Sequence, residues 1–269
     1  MLRFAANINT GFKEYPFYER FQKAADLGFG AIELPSPFVF DVEEVVRAAK
    51  ASGVKVVQFN FADGDMPAGE RGMASHPARQ AEWRDSLAQA IALAQRLNAR
   101  QINSLAGCVL PDVPRAEQLA YLVENLKWAM PHLAKATLPM MLEALNPFDN
   151  KGYLLTHTAE AIDVIQRVGS PWLKFQYDVY HMQRTEGELV NTIRANIAHI
   201  GHVQIADNPG RHQPGTGEIN YRFVLGALEA AGYEGYVGLE YLPDPDTARG
   251  LGWLPRDRRV TATAADLVL

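Results

Sequence analysis

The strongest constraint on what this chain can fold into is a rhythm of eight short apolar runs, each followed by a stretch of helical period. The runs lie at 2–8, 30–34, 54–60, 100–106, 138–144, 173–179, 199–206 and 235–241, and their β-branched, aromatic and leucine content predicts strands. Between them, Tyr18–Leu27, Val42–Ala51, Gln80–Leu97, Ala116–Ala136, Ala159–Val168, Glu186–Ala198 and Arg222–Ala231 place apolar residues every three or four positions, as helices with one buried face do. Gly28, Gly53 and Gly232 stand where such helices stop before the next strand. Eight repeats in 269 residues leave roughly 34 for each, the size of one βα unit. Strands that are apolar throughout and joined by helices form a parallel sheet covered on both faces. A doubly wound open sheet usually shows G-x-G-x-x-G after its first strand, and none follows Ile8. The sequence therefore predicts an α/β fold, a single (β/α)8 TIM barrel over residues 1–254 with no internal linker. The tail 255–269 is charged and then rich in Ala and Thr. It matches neither strand nor barrel helix and is expected to be a peripheral or partner-contacting extension, not a domain.

Composition narrows the function classes. Lys and Arg number 26 against 31 Asp and Glu, a net charge of −5, which argues against a nucleic-acid-binding surface. Cys108 is the single cysteine, so no disulfide framework exists and a reducing compartment is expected. It lacks a cysteine or ligand-spaced histidine nearby and reads as structural or incidental. The N-terminal MLRFAANINTGF has no apolar targeting core, and no apolar run approaches the roughly 20 residues that cross a bilayer. The amphipathic Gln80–Leu97 stretch has a polar face of mixed sign, better suited to barrel packing than to a membrane surface. A cytoplasmic protein without membrane or nucleic-acid partners is expected, with homo-oligomerisation left open.

Charges are costly in barrel strands buried on both faces, so polar residues that close such strands are informative. Glu143 closes the fifth strand, Asp178 the sixth, Gln204 the seventh and Glu240 the eighth. Each follows the previous one by about one βα unit, so all four converge at the C-terminal mouth, where active sites of this fold lie. Acids at such junctions also serve as helix N-caps. Three carboxylates gathered there repel one another unless a cation intervenes. All four side chains offer oxygen, which favours Mg²⁺, or Mn²⁺, over Zn²⁺.

Longer strings then become specific. LPMMLEALNPFD around Glu143, Gln176–Arg184 (QYDVYHMQR), His202–Pro209 (HVQIADNP), Pro214–Tyr221 (PGTGEINY), Gly238–Tyr241 (GLEY) and Ala68–Gly72 (AGERG) closely resemble hydroxypyruvate isomerases. The resemblance runs from Leu2 to about Trp253. That family belongs to the xylose-isomerase-like barrels, with 2-oxo-tetronate isomerases, ketose 3-epimerases and a class of DNA-repair nucleases. The resemblance implies interconversion of hydroxypyruvate and 2-hydroxy-3-oxopropanoate (tartronate semialdehyde). It implies Glu143 and Glu240 as the acid/base pair, and Glu143, Asp178, Gln204 and Glu240 as ligands of a divalent metal. The ketose epimerases carry a histidine where Gln204 stands, so the amide oxygen shifts the expected preference toward Mg²⁺.

Such chemistry needs proton removal at C3 and delivery at C2 through an enediolate, with positive charge near the vicinal oxygens. His181, three residues after Asp178, is a candidate for a substrate oxygen, or a structural histidine. Arg211 is a candidate clamp for the substrate carboxylate, and Glu70–Arg71 a second; either arginine also fits a surface ion pair. Asn60, ending the third strand, points into the mouth or caps its loop. Glu218, in a glycine-rich loop, either folds over substrate or marks a surface turn. His202 and Lys174 share the inward parity of Gln204 and Asp178, as groups orienting ligands or as polar filling of the barrel. The alternatives are a 2-oxo-tetronate isomerase or ketose 3-epimerase using the same site. A repair nuclease of the superfamily needs a histidine-rich zinc cluster and a basic surface, whereas this chain has seven histidines and is acidic. A non-catalytic binding module gives no reason for opposed glutamates in a costly charged mouth.

Overall fold

A computed structural model describes residues 1–269. Eight strands, β1 (Leu2–Asn7), β2 (Ala31–Leu34), β3 (Lys55–Phe61), β4 (Gln101–Ser104), β5 (Met140–Glu143), β6 (Leu173–Asp178), β7 (Ile200–Gln204) and β8 (Tyr236–Leu239), pair in parallel with their sequence neighbours. β1 pairs with both β2 and β8, which closes the sheet into the expected (β/α)8 TIM barrel. Around it lie α1 (Arg20–Asp26), α2 (Val42–Ser52), α3 (Gln80–Leu97), α4 (Arg115–Ala136), α5 (Thr158–Val168), α6 (Val179–Thr185), α7 (Leu189–Asn196), α8 (Tyr221–Ala230) and the short α9 (Thr247–Gly250). No helix is long and apolar enough to cross a membrane.

Local chemistry accounts for the helix ends. Asp41 caps α2 by accepting from the amides of Glu43 and Glu44, and Gly53 ends it at φ 70°, a conformation that costs glycine little. α5 opens on a capping box in which Glu160 reaches back to the His157 amide, and Gly169 closes it. The inward faces of α3 and α4 bury Trp83, Leu87, Leu93, Leu122, Leu126 and Leu133 against the strands.

Two sequence expectations need correction. The single helix read over Glu186–Ala198 is preceded by another, α6, which starts directly at Asp178. Gly187 at φ 64° and Glu188 at φ 48° separate α6 from α7, because left-handed residues cannot continue a right-handed helix. The tail is not devoid of strand either: Thr261–Ala262 form β9, antiparallel to Leu2–Arg3 at the start of β1. Arg222 donates to the carbonyls of Ala264, Ala265 and Leu267, and the Val268 amide donates to Trp253 O. Those bonds seat Leu267 in the core at 2% exposure. Removing a buried leucine side chain costs about 2–5 kcal/mol, so Leu267→Ala is expected to lower Tm by several degrees in a thermal melt, whereas Leu269→Ala, at a half-exposed residue, leaves it within about a degree.

Candidate active site

The strand ends bring the singled-out residues together. Glu143 and Gln204 are the last residues of β5 and β7, Asp178 the last of β6, and Glu240 follows β8 directly. Glu143, Asp178 and Gln204 are buried, and Glu240 is nearly so. Glu143 and Glu240 line one small cavity of about 20 Å³, room for a single water-sized occupant.

Asp178 combines the two roles left open by the sequence. Its Oδ1 caps α6, accepting from the amides of Tyr180 (2.8 Å) and His181 (3.3 Å). Its Oδ2 faces Arg211 Nη2 at 3.4 Å and His181 Nε2 at 3.5 Å. The cap explains why a helix begins here, and it carries His181 into the mouth within the first turn. Glu143 Oε2 accepts from Asn103 Nδ2 at 3.1 Å, and Asn103 also donates to Asn60 Oδ1 at 3.2 Å. Asn60 thus lies on the wall of the same cavity.

Arg211 supplies the positive charge. Its Nη2 donates to Glu240 Oε2 at 2.5 Å, its Nε to the Glu240 carbonyl at 3.3 Å, and its guanidinium lies 5.0 Å from the Tyr180 ring centre. Burial opposes that charge, but Glu240, Asp178 and Glu143 together hold the guanidinium firmly protonated. The loop bearing Arg211 is organised by Asp207, whose carboxylate accepts five backbone amides, those of Asn208, Gly215, Thr216, Gly217 and Ile219. Gly217 is required in that loop, since a Cβ there meets Asn208 O and the Asp207 carboxylate.

One guanidinium does not balance three carboxylates. Burial, then the charges of Glu240 and Asp178, push the Glu143 carboxyl well above its usual range. Burial likewise lifts Glu240 to about 7, with Arg211 pulling against it and Asp178 and Glu33 reinforcing it. Glu143, Asp178 and His181 bring potential ligand atoms within 4.8 Å of one another. The residual negative charge and oxygen-rich donors fit a divalent cation.

His181 is fully buried, which depresses its ring to about 4 despite the neighbouring Asp178, so it is neutral at pH 7. Its tautomer follows from Asn146. The Asn146 Oδ1 accepts from the amides of Phe148 (3.1 Å) and Asp149 (2.9 Å), which fixes its NH2 toward His181 Nδ1 at 2.6 Å. The Asn146 backbone amide donates to the same nitrogen at 3.3 Å. Nδ1 is therefore the acceptor, and the proton sits on Nε2, which faces Asp178 and the mouth.

Several candidates lie elsewhere. Glu70 pairs with Arg79 at 2.8 Å and accepts from the Asp65 amide at 2.6 Å. Arg71 donates to Asn150 Oδ1 and to the carbonyls of Met66 and Glu70; these contacts order the β3–α3 loop and do not reach the strand-end carboxylates. Glu218 is exposed and accepts from Asn208 and Gln183. Lys174 Nζ bonds the Ala198 carbonyl, away from the mouth, so its parity did not bring it to the ligands. Burial raises the Cys108 thiol, in keeping with an inert side chain.

What the sequence reading missed lies beneath the mouth. Glu33, on β2, is 2% exposed. Its Oε2 accepts from Asn7 Nδ2 (3.1 Å) and Gln204 Nε2 (2.9 Å), and its Oε1 contacts His202 Nε2. Asn7 also reaches Glu240 Oε1 at 3.3 Å. Behind Gln204, Gln176, Gln58 and Gln101 continue a buried chain of amides at 2.6, 2.5 and 2.8 Å. A charge inside the GAIEL run was the available signal for Glu33; the neutral amides gave none.

A model of the xylose isomerase-like TIM barrel matches residues 21–256. The chain belongs to that family. A hydroxypyruvate isomerase of Escherichia coli K12 is 44% identical over 94% of this chain and 98% of its own. A 2-oxo-tetronate isomerase of Cupriavidus necator is 37% identical over the same shares. Among solved structures, AP endonuclease, family 2 from Brucella melitensis superposes with a TM-score of 0.91 at 39% identity, covering 94% of this chain and 98% of that one. Within this family the four strand-end positions form the candidate active site of the present chain.

The crowding of carboxylates has a consequence for stability. A carboxyl raised in the folded state stabilises the protein while protonated, and that contribution is lost as pH climbs through the raised value. His181, depressed on folding, acts oppositely, costing stability as pH falls below about 6.5 toward 4. Glu143→Gln keeps an acceptor for Asn103 and removes one charge. In EDTA at pH 8 this variant is expected to melt a few degrees above the wild type, with the gap shrinking toward pH 5, as differential scanning fluorimetry can check. A lower Tm at pH 8 contradicts the charge account.

Proposed function

We propose that this enzyme interconverts hydroxypyruvate and 2-hydroxy-3-oxopropanoate, acting in the cytoplasm on the free acid. The observation that carries this reading is a pair of glutamates, Glu143 and Glu240, lining one small cavity at the barrel mouth, each with its carboxyl lifted from the usual range. A carboxyl near neutrality is suited both to take and to give a proton at pH 7. The sequence similarity to the E. coli hydroxypyruvate isomerase supports the substrate class.

Glu143, Asp178, Gln204 and Glu240 would hold the divalent cation, and their oxygen donors favour Mg²⁺ with Mn²⁺ as a substitute. When bound, that ion supplies positive charge to the vicinal oxygens of the substrate. The chain's own residues do the rest. One glutamate of the pair removes a proton from C3, generating the enediolate. The other delivers a proton to C2, and a proton passes from one oxygen to its neighbour, so atoms balance with no external reductant. The His181 Nε2–H, held by Asn146, donates a hydrogen bond to a substrate oxygen, and being neutral it does so without surrendering its proton. Arg211 clamps the substrate carboxylate. In the free enzyme its charge holds Glu240 down, so engagement by the substrate frees Glu240 to act as a stronger base.

A 2-oxo-tetronate isomerase is the second reading, favoured by the 37% identity to the C. necator enzyme; it uses the same proton traffic on a longer chain. Proton NMR of hydroxypyruvate in D₂O with Mg²⁺ tests the proposal. The expected outcome is 2-hydroxy-3-oxopropanoate with deuterium at C2, at least 10³-fold slower in Glu143→Gln and in Glu240→Gln, and lost on adding EDTA. Conversion of four-carbon 2-oxo acids with none of hydroxypyruvate would move the assignment to the second reading, and inertness toward both would overturn it.

A further inference from the structure

The amides around the cavity at the mouth form one directional chain, and its direction is set at Asn7 and Glu33, which line that cavity beside Glu240. Asn7 Oδ1 accepts from the backbone amides of Asn9 (3.0 Å) and Thr10 (3.1 Å), so its NH2 faces Glu33 Oε2. That oxygen therefore accepts, and Gln204 must offer it NH2, at 2.9 Å. The Gln204 carbonyl oxygen is then left for Gln176 Nε2, the Gln176 oxygen for Gln58 Nε2, and the Gln58 oxygen for Gln101 Nε2.

 Each amide has two ends, and a chain whose first member is held by a carboxylate has only one consistent orientation. Glu33 itself is seated by design of its surroundings: Gly238, on β8, is bare where a Cβ would collide with the Glu33 carboxylate.

We propose that Glu33 is a positioning residue that sets the polarity of this four-amide chain, and that the chain carries this polarity between Gln101 and the cation-binding end of Gln204. In the observed orientation Gln204 turns its carbonyl oxygen toward Gln176, the strand partner of Glu143. That oxygen has a second lone pair for a cation. Reversal of the chain puts an NH2 there instead, a donor with nothing to offer a metal. The part of the proposal that concerns the cation rests on the function proposed above; the coupling along the chain does not.

The test is a double-substitution cycle on the full-length protein with Glu33→Gln, Gln101→Glu, the two combined, and Gln101→Leu as a control. Residues this far apart in a hydrogen-bond path, with no shared partner, ordinarily contribute additively to stability. Gln101→Glu places an acceptor-only group at the far end while Glu33 holds the near end, so the amides between cannot satisfy both. Glu33→Gln can donate, which permits the whole chain to reverse. Melting in EDTA at pH 8 is expected to show a loss of Tm in Gln101→Glu of which at least half returns in the combined variant. Additive losses overturn the proposal. Should Gln101→Glu fail to fold alone, folding of the combined variant supports the coupling, and failure of both while Glu33→Gln folds contradicts it.

Mn²⁺ affinity, followed by the paramagnetic resonance of the free ion, reads the second half. Gln101→Glu and the combined variant are expected to bind at least tenfold more weakly than wild type, and Gln101→Leu, which leaves the polarity to Glu33, within about threefold. Equal weakening in Gln101→Leu and Gln101→Glu means that mere loss of packing is felt at the mouth and overturns the polarity argument. A wild-type protein that neither binds Mn²⁺ nor isomerises hydroxypyruvate removes the functional reading, while the EDTA melts still decide whether the chain couples its ends.

Discussion

The burial of three neighbouring carboxylates, Glu143, Asp178 and Glu240, is the constraint on which the rest of the site depends. Here three consecutive strands end in an oxygen-bearing side chain and the fourth is followed directly by one. Gathering three acids at one barrel mouth is unfavourable, and the protein offsets it with one guanidinium, Arg211, laid between Asp178 and Glu240. Burial first, and the remaining imbalance second, raise the carboxyls of Glu143 and Glu240. A raised carboxyl can exchange protons near neutrality, and an uncompensated pair attracts a cation.

The surrounding residues hold these groups in place. Asp207 gathers five amides to fix the loop that delivers Arg211. Asp178 caps α6 with one oxygen and leaves the other to the mouth, so the helix that carries His181 is anchored by the group it faces. Asn146 assigns the histidine's proton through a bond to Nδ1. Each arrangement uses backbone amides, whose donor character cannot change, to settle the orientation of a side chain whose character can.

Much of this was legible in the sequence, for a physical reason. A carboxylate at the end of an apolar strand is expensive unless it has a function, so Glu143, Asp178 and Glu240 stood out against MMLE, KFQYD and VGLE. The barrel followed from period and repeat length. Glu33 obeys the same rule inside GAIEL, but Leu34 follows it in the strand, so a pattern of acids that close strands does not single it out. Gln58, Gln101 and Gln176 were invisible for a different reason. Neutral amides at such positions resemble ordinary surface residues, and the bond between Gln58 and Gln176 joins residues on opposite sides of the barrel. The helix break at Gly187–Glu188 and the docking of the tail as β9 likewise depend on local dihedrals and on a strand edge that only folding creates. Arg71 illustrates the converse: a loop arginine beside a glutamate looks like an anion clamp, yet its bonds go to Asn150 and to carbonyls of its own loop.

Burial and mutual repulsion together keep protons on the carboxyls of the metal-free mouth, and in the proposed function a divalent cation takes their place. Calorimetric titration of Mn²⁺ at pH 6.5, repeated in buffers of differing ionisation enthalpy, measures this directly by counting protons released per ion bound. The account predicts one ion per chain, with release approaching one proton or more at pH 6.5 and declining as the pH is raised past the elevated carboxyl values. Binding with no proton release at pH 6.5, or no binding at all, would contradict it.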